Sequence, residues 1–156
     1  MAARFEFRQA RELGEAFRRR SVRYLFLGKS GAIVLGFPDT TQDADVFLMK
    51  SPENGQAAVL ALKDLGFPLD ADQEAQIRRG KDFIQIRNGP FDVDLVFAPD
   101  GIEDFEKAEA RGVEVEGLKV CSLDDIIRSK EAAGRVKDKE VLPRLKGFRD
   151  WLKRKK

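Results

Sequence analysis

Residues 43–49 have the sequence DADVFLM, which places two aspartates at the start of an otherwise apolar run. A short run of this composition predicts a buried β-strand. Because residues i and i+2 of a strand point to the same face, about 6.6–6.8 Å apart, Asp43 and Asp45 project together. Such a pair suits two Mg²⁺ or Mn²⁺ ions, although an aspartate at the mouth of a strand can also simply face water.

A second stretch repeats this pattern. Residues 91–97 have the sequence FDVDLVF, which places Asp92 and Asp94 on one face of a predicted strand and apolar side chains on the other. Asp94 lies deeper in the apolar run, where a carboxylate is costly without a cation or another partner. Two such strands side by side would gather three or four carboxylates and favour a bound metal. The alternative is a solvated face on an edge strand.

Two further segments carry groups suited to phosphate. The turn Gly28-Lys29-Ser30-Gly31 joins a predicted strand to a predicted helix, where free N–H groups and a hydroxyl can cradle phosphate. Its spacing is not that of a Walker A loop, and many such turns use glycine for conformation only. Further along, Lys130 continues the apolar stripe of a helix that opens at Ser122, so its side chain either enters a cleft or extends to solvent.

Composition excludes several chemistries. The 156 residues include no histidine and one cysteine, so there is no Ser-His-Asp triad, imidazole ligand, internal disulfide or thiolate zinc cluster. Net charge is +3 over residues 1–20, −9 over 21–127 and +8 over 128–156. An acidic middle between basic ends suits a protein that binds cations centrally and phosphate peripherally. The alternative is that charged helices at both ends are simply solvated. With no spanning or targeting segment expected, we predict a cytoplasmic protein.

The order of predicted elements indicates one α/β (α+β) domain over residues 1–156, with a mixed sheet flanked by helices. Strands are expected at 22–27, 43–49, 81–87, 91–97 and 118–121, and Asn-Gly at 88–89 favours a hairpin. Helices are expected at 7–20, 32–35, 53–65 and 102–111, after Ser122, and over a basic C-terminal helix at 140–156.

Together these residues resemble the nucleotidyltransferase superfamily of the DNA polymerase β type. The resemblance rests on Gly28-x-Ser30, on Thr41-Gln42-Asp43-Ala44-Asp45 and on Asp94 in a later strand. Residues 122–138, SLDDIIRSKEAAGRVKD, are similar to small bacterial nucleotidyltransferases related to AbiEii-type toxins of toxin–antitoxin systems. The match covers about residues 24–147, nearly the whole chain.

The resemblance implies a nucleotide-binding fold that uses Mg²⁺ or Mn²⁺ to move a nucleoside monophosphate from a nucleoside triphosphate (NTP) to an acceptor hydroxyl. The acceptor would be RNA such as a tRNA 3′ end, a protein or a small molecule, and a cognate antitoxin or homodimer partner would complete the assembly. It implies that Asp43, Asp45 and Asp94 are the catalytic metal ligands, and that Gly28, Lys29, Ser30, Thr41, Lys130, Arg135 and Asp138 bind or orient the nucleotide.

Two residues depart from the family pattern. Lys29 stands where relatives often have glycine, and Asp39 stands where they often have arginine. The loss of a cation at position 39 would weaken triphosphate binding unless Lys29 compensates. An alternative is therefore a catalytically silent nucleotide-binding or antitoxin-type partner with the same fold. A simple RNA-binding module fits less well, because no aromatic stacking platform is evident.

Overall fold

A six-stranded mixed sheet lies at the centre of the protein, which a computed structural model describes over residues 5–155. In space the strands follow the order β3-β4-β2-β1-β6-β5, with β2 parallel to β4, β1 parallel to β6, and the other neighbours antiparallel. This confirms the predicted mixed sheet; residues 1–4 and 156 of the predicted domain lie outside the described residues. The strands are β1 (Tyr24–Leu27), β2 (Asp43–Leu48), β3 (Phe83–Ile86), β4 (Asp92–Val96), β5 (Val113–Val115) and β6 (Leu118–Val120).

Seven helices flank the sheet within the described part of the chain. They are α1 (Phe7–Arg19), α2 (Gly28–Val34), α3 (Pro52–Asp64), α4 (Ala71–Arg79), α5 (Phe105–Arg111), α6 (Leu123–Ala133) and α7 (Val136–Arg154). Helix α1 packs against α3, and α3 against α4, whereas α2 packs against β2 and α6, and α6 against α7. Among residues 5–155, no helix has the combination of length and apolar character that a membrane span requires.

Several elements differ from the expectation. Helix α4 and strand β5 were not expected: Ile77 is the one buried residue of α4, so no apolar stripe marks it, and β5 is a three-residue strand at the sheet edge. The C-terminal helix begins at Val136 rather than 140, because Gly134 ends α6 in a left-handed conformation and Asp138 accepts a hydrogen bond from Arg135 N. Helix α2 begins at Gly28 itself, so the expected turn is its first helical turn.

Two apolar clusters hold these layers together. The larger one surrounds the sheet and includes fully buried Phe17 of α1, Phe26 of β1 and Leu62 of α3. The smaller one joins α2, α6 and α7 and thereby fixes the α6–α7 pair beside α2, which also packs on β2. Its buried members are Ala32, Phe37, Leu123, Ile127, Val141, Leu145 and Phe148.

Candidate active site

Four aspartates lie together on one face of the sheet, at the start of β2 and β4. The parallel register pairs Asp43 with Asp92 and Asp45 with Asp94. Directly paired residues on neighbouring strands point to the same face, as do residues two positions apart on one strand. The structure therefore brings together the two aspartate pairs that the sequence singles out.

The carboxyl groups of Asp45 and Asp94 are closely coupled. Asp94 is only 6% exposed, and the Asp45 carboxyl packs so closely on Gly28 that a Cβ at Gly28 would collide with it. Burial and the negative charge of Asp94 raise the pKa of Asp45 to about 8. Burial also raises the pKa of Asp94, against the opposing effect of the Arg87 guanidinium. The two groups therefore titrate as a pair rather than independently.

A residue that the sequence reasoning missed, Arg87, lies among these aspartates. Its Nη2 is 2.8 Å from Asp94 Oδ1 and 3.5 Å from Asp43 Oδ2, and its Nε is 3.8 Å from Asp92 Oδ2. The 2.8 Å contact lacks hydrogen-bond geometry, so the buried Oδ1 of Asp94 has no hydrogen-bond partner. The predicted hairpin was the signal that could have revealed Arg87. In this hairpin Ile86 pairs with Val93, so the next residue, Arg87, comes opposite Asp92.

The donor set fits a hard divalent cation. Carboxylate oxygens are the ligands that Mg²⁺ and Mn²⁺ prefer, and the buried Oδ1 of Asp94, although 2.8 Å from Arg87 Nη2, accepts no hydrogen bond. Within residues 5–155, however, no three such side chains already converge in the arrangement of a metal site. The positive group among the carboxylates in this conformation is the guanidinium of Arg87.

Asp138 holds the side chains of Lys130 and Arg135 together. The carboxylate of Asp138 is fully buried; it accepts a hydrogen bond from Arg135 Nε at 2.7 Å and lies 3.4 Å from Lys130 Nζ. Burial opposes ionisation of Asp138, but the hydrogen bond from Arg135 and the charge of Lys130 hold its pKa below the usual value. The charge of Lys130 opposes the rise in the pKa of Asp45, and the charge of Asp45, after the larger effect of Asp138, contributes to the raised pKa of Arg135. Asp138 is thus a positioning residue for two cations whose charges interact with that of Asp45.

Ser30 links α2 to β2. Its hydroxyl is fully buried, donates to Leu27 O at 3.0 Å and accepts from Asp45 N at 2.9 Å. In this conformation Ser30 therefore fixes the backbone of Asp45, and its predicted phosphate contact stays a prediction. Thr41 lies just before β2, where its carbonyl accepts a hydrogen bond from Phe5 N at 2.8 Å.

The two departures from the family pattern pair with each other. Lys29 Nζ lies 3.3 Å from Asp39 Oδ2, and Arg144 of α7 donates a hydrogen bond to the same oxygen at 3.0 Å. Burial opposes ionisation of Asp39, but the hydrogen bond from Thr40 N and the contacts with Lys29 and Arg144 hold its pKa below the usual value. The turn at residues 28–31 therefore carries a cation, Lys29, although position 39 is acidic.

A groove of about 320 Å³ lies elsewhere, beyond the carboxyl ends of β2 and β4. Its lining includes Phe47, Met49, Phe97 and Phe105, and it contains none of the four aspartates. The aspartate cluster is therefore separate from this groove.

Comparison with known proteins supports the fold. The chain is similar to the crystal structure of a protein from Thermotoga maritima described as a "putative nucleotidyltransferase", with a TM-score of 0.56 and 18% sequence identity. The similarity covers 95% of this chain and 92% of that chain. No protein-family model and no curated protein matches the sequence. The nucleotidyltransferase-like fold expected from the sequence is confirmed.

Proposed function

We propose that the protein is a metal-dependent nucleotidyltransferase. It would transfer a nucleoside monophosphate from an NTP to an acceptor hydroxyl and release pyrophosphate. The observation that carries this proposal is the in-register face of four aspartates on β2 and β4. A likeness of fold to a protein described as a nucleotidyltransferase supports it.

Asp43, Asp45 and Asp94 would hold Mg²⁺ or Mn²⁺, with Asp92 at the edge of the same face. The bound ions would neutralise phosphate charge and stabilise the attacking and leaving oxygens. Asp94, set deepest in the cluster, is the group proposed to accept the proton of the acceptor hydroxyl. Because phosphoryl-type transfer depends on alignment and charge more than on covalent assistance, a chain without histidine can perform it.

Lys130 and Arg135 would bind the triphosphate. Lys130 is largely enclosed, with 13% of its side chain exposed, whereas 57% of the Arg135 side chain is exposed. Their shared contact with Asp138 orders both cations before a nucleotide arrives, which reduces the entropy lost on binding. Lys29 would add a third positive charge at the start of α2.

RNA is the acceptor that the charge distribution favours. Residues 128–156 carry a net charge of +8, and Lys137 and Lys139 are exposed at the start of α7, close to Arg135. Such a surface suits a polyanion, and the 3′ end of a tRNA is one acceptor of this kind. Protein and small-molecule acceptors remain alternatives. A role as an AbiEii-like toxin with a cognate antitoxin is part of the same proposal.

One observation favours a second candidate, a catalytically silent nucleotide-binding protein with this fold. Arg87 lies where a metal ion would bind the carboxylates, and the aspartates do not converge on one point. Such a protein would bind NTPs without releasing pyrophosphate.

The proposal can be tested by incubating the protein with Mg²⁺ or Mn²⁺, each α-labelled NTP and total bacterial RNA. The double variant Asp43→Ala/Asp45→Ala tests the aspartates, and Asp150→Ala, which removes an exposed carboxylate of α7, is the matched control. Label on RNA with the wild type and the control, but not with the double variant, is the expected result.

Other outcomes separate the alternatives. Metal-dependent NTP binding with pyrophosphate release but no labelled RNA would indicate a small-molecule or protein acceptor. Binding without pyrophosphate release would favour the silent protein. The absence of both binding and transfer would contradict the proposed function.

A further inference from the structure

Arg87 makes ion-pair contacts with three of the four aspartates at once. Its Nη2 and Nε atoms lie 2.8, 3.5 and 3.8 Å from oxygens of Asp94, Asp43 and Asp92. In addition, Nη1 donates long hydrogen bonds to the carbonyl oxygens of Ile86 and Val93, at 3.4 and 3.5 Å. The side chain is still 39% exposed, so it borders the cluster from the solvent side.

The position of Arg87 follows from the fold. It comes directly after β3, and the antiparallel pairing of Ile86 with Val93 brings it beside Asp92 on the aspartate face. Four carboxylates on one face repel one another unless a cation or a proton intervenes. Among residues 5–155, Arg87 is the side chain that forms ion pairs within this cluster.

We infer that Arg87 is an internal counter-cation, which holds the aspartate cluster together in the metal-free protein and competes with a divalent cation for Asp43 and Asp94. This inference rests on the proposed metal site, and it deepens the proposed function by naming what must move before metal binds. It also makes Arg87 a determinant of metal affinity, a role that the carboxylates alone do not reveal.

The competition has a steric and an electrostatic origin. A Mg²⁺ or Mn²⁺ ion needs carboxylate oxygens at about 2.0–2.2 Å, so an ion ligated by Asp43 and Asp94 would take the space of Nη2. Two positive charges a few ångströms apart also repel strongly outside bulk water. The exposure of the Arg87 side chain gives it room to swing into solvent when an ion binds.

Mn²⁺ binding in the absence of nucleotide tests the inference. We would measure it by isothermal titration and by the electron paramagnetic resonance signal of free Mn²⁺, for the wild type, Arg87→Gln and Arg87→Lys. The control is Lys81→Gln, which removes one exposed positive charge before β3. Arg87→Gln is expected to bind Mn²⁺ about tenfold more tightly, since it removes a unit charge adjacent to the ion. Lys81→Gln should change affinity by less than about twofold because solvent screens it.

Thermal unfolding in EDTA provides a second readout. Arg87→Gln should unfold about 2–4 °C below the wild type without metal, because the carboxylates lose their counter-charge, and should gain more from added Mn²⁺. Arg87→Lys, which keeps the charge but not the planar group, should fall between the two.

The outcomes separate this inference from the proposed function. If the wild type binds Mn²⁺ and Arg87→Gln binds it no more tightly, the inference is wrong and the metal site stands. If neither protein binds Mn²⁺, the proposed metal site fails and the inference fails with it. Binding by Arg87→Gln alone would support the inference in its strongest form.

Discussion

Buried aspartates occur in two regions of this protein, and the regions differ in how negative charge is balanced. In helices α6 and α7, Asp125 and Asp138 are fully buried, and each lies beside two cationic side chains. On the sheet, three aspartates share Arg87, and a fourth, Asp45, lies beside them. The partners are Arg111 and Arg128 for Asp125, at 2.8 and 3.1 Å, and Arg135 and Lys130 for Asp138, at 2.7 and 3.4 Å.

The contrast distinguishes carboxylates whose charge is balanced within the chain from carboxylates whose charge is not. An aspartate with two cationic partners compensates its own desolvation within the chain. A cluster with more negative than positive charge lowers stability, and it becomes favourable only when a further cation binds. Neutralising a carboxylate is therefore expected to have opposite consequences in the two regions.

The largest effect is expected on catalysis. Asp45→Asn and Asp43→Asn should each lower nucleotidyl transfer by about a thousandfold or more, because each removes a proposed metal ligand. Neither should lower the melting temperature by more than about 3 °C, since relief of repulsion offsets lost contacts. Labelled-NTP transfer and circular dichroism check the two parts. Equal activity in the wild type and the variants would contradict the proposed difference between the two regions.

Neutralising the other region should damage the fold instead. Asp138→Asn leaves Arg135 and Lys130 without a counter-charge and should lower the free energy of unfolding by about 2–3 kcal/mol, allowing for the solvent exposure of Arg135. For a chain of this size the melting temperature would fall by about 4–10 °C. Asp150→Asn, at an exposed position on the same helix, should stay within about 0.5 kcal/mol of wild type. A similar loss in both variants would contradict this assignment.

Acid titration sharpens the second prediction. The pKa of Asp138 is lowered in the folded protein by the hydrogen bond from Arg135 and the charge of Lys130, against the effect of burial. Its contribution is therefore fully present above the ordinary value of 3.8 and is lost as pH falls through the lower folded value. In urea unfolding, the stability difference between wild type and Asp138→Asn should be constant above about pH 5 and shrink below about pH 4. A difference that grows on acidification would refute this sign.

The smallest expected effect concerns the ion pair between Lys29 and Asp39. Lys29 and Asp39 are partly exposed, at 31% and 18% of their side chains. A double-mutant cycle with Lys29→Ala and Asp39→Ala should give a coupling energy of about 0.5–1 kcal/mol in unfolding measurements. Additive effects of the two substitutions would show that the contact contributes nothing measurable.

Much of the sheet could be predicted because its strands carry strong local patterns. The runs DADVFLM and FDVDLVF alternate or cluster apolar residues, and the structure has strands β2 and β4 there. The register that pairs Asp45 with Asp94 depends on the long connection between those strands, so local patterns suggest this pairing but do not determine it. Helix α4 was not predicted because Ile77 is its one buried residue, so no apolar stripe marks the helix in the sequence.

The contacts missed at the site join residues that carry no local signal. Arg87 is a single cation after a short strand, and only the hairpin pairing reveals that it faces Asp92. Lys29 and Asp39 stand out in the sequence as separate departures, whereas the structure shows their charged groups 3.3 Å apart. The importance of these residues depends on contacts between distant parts of the chain. A single sequence contains little information about such contacts.

Unfolding of the wild type and Asp45→Asn, each in EDTA and in Mn²⁺, tests the central claim that the aspartate cluster is maintained for a cation. Without metal, Asp45→Asn should equal the wild type or exceed it by about 1 kcal/mol, because the amide cannot ionise beside Asp94. Mn²⁺ at about a hundred times its dissociation constant should stabilise the wild type by about 2.7 kcal/mol and the variant far less. A variant less stable than the wild type in EDTA, with no effect of Mn²⁺ on either protein, would contradict the account.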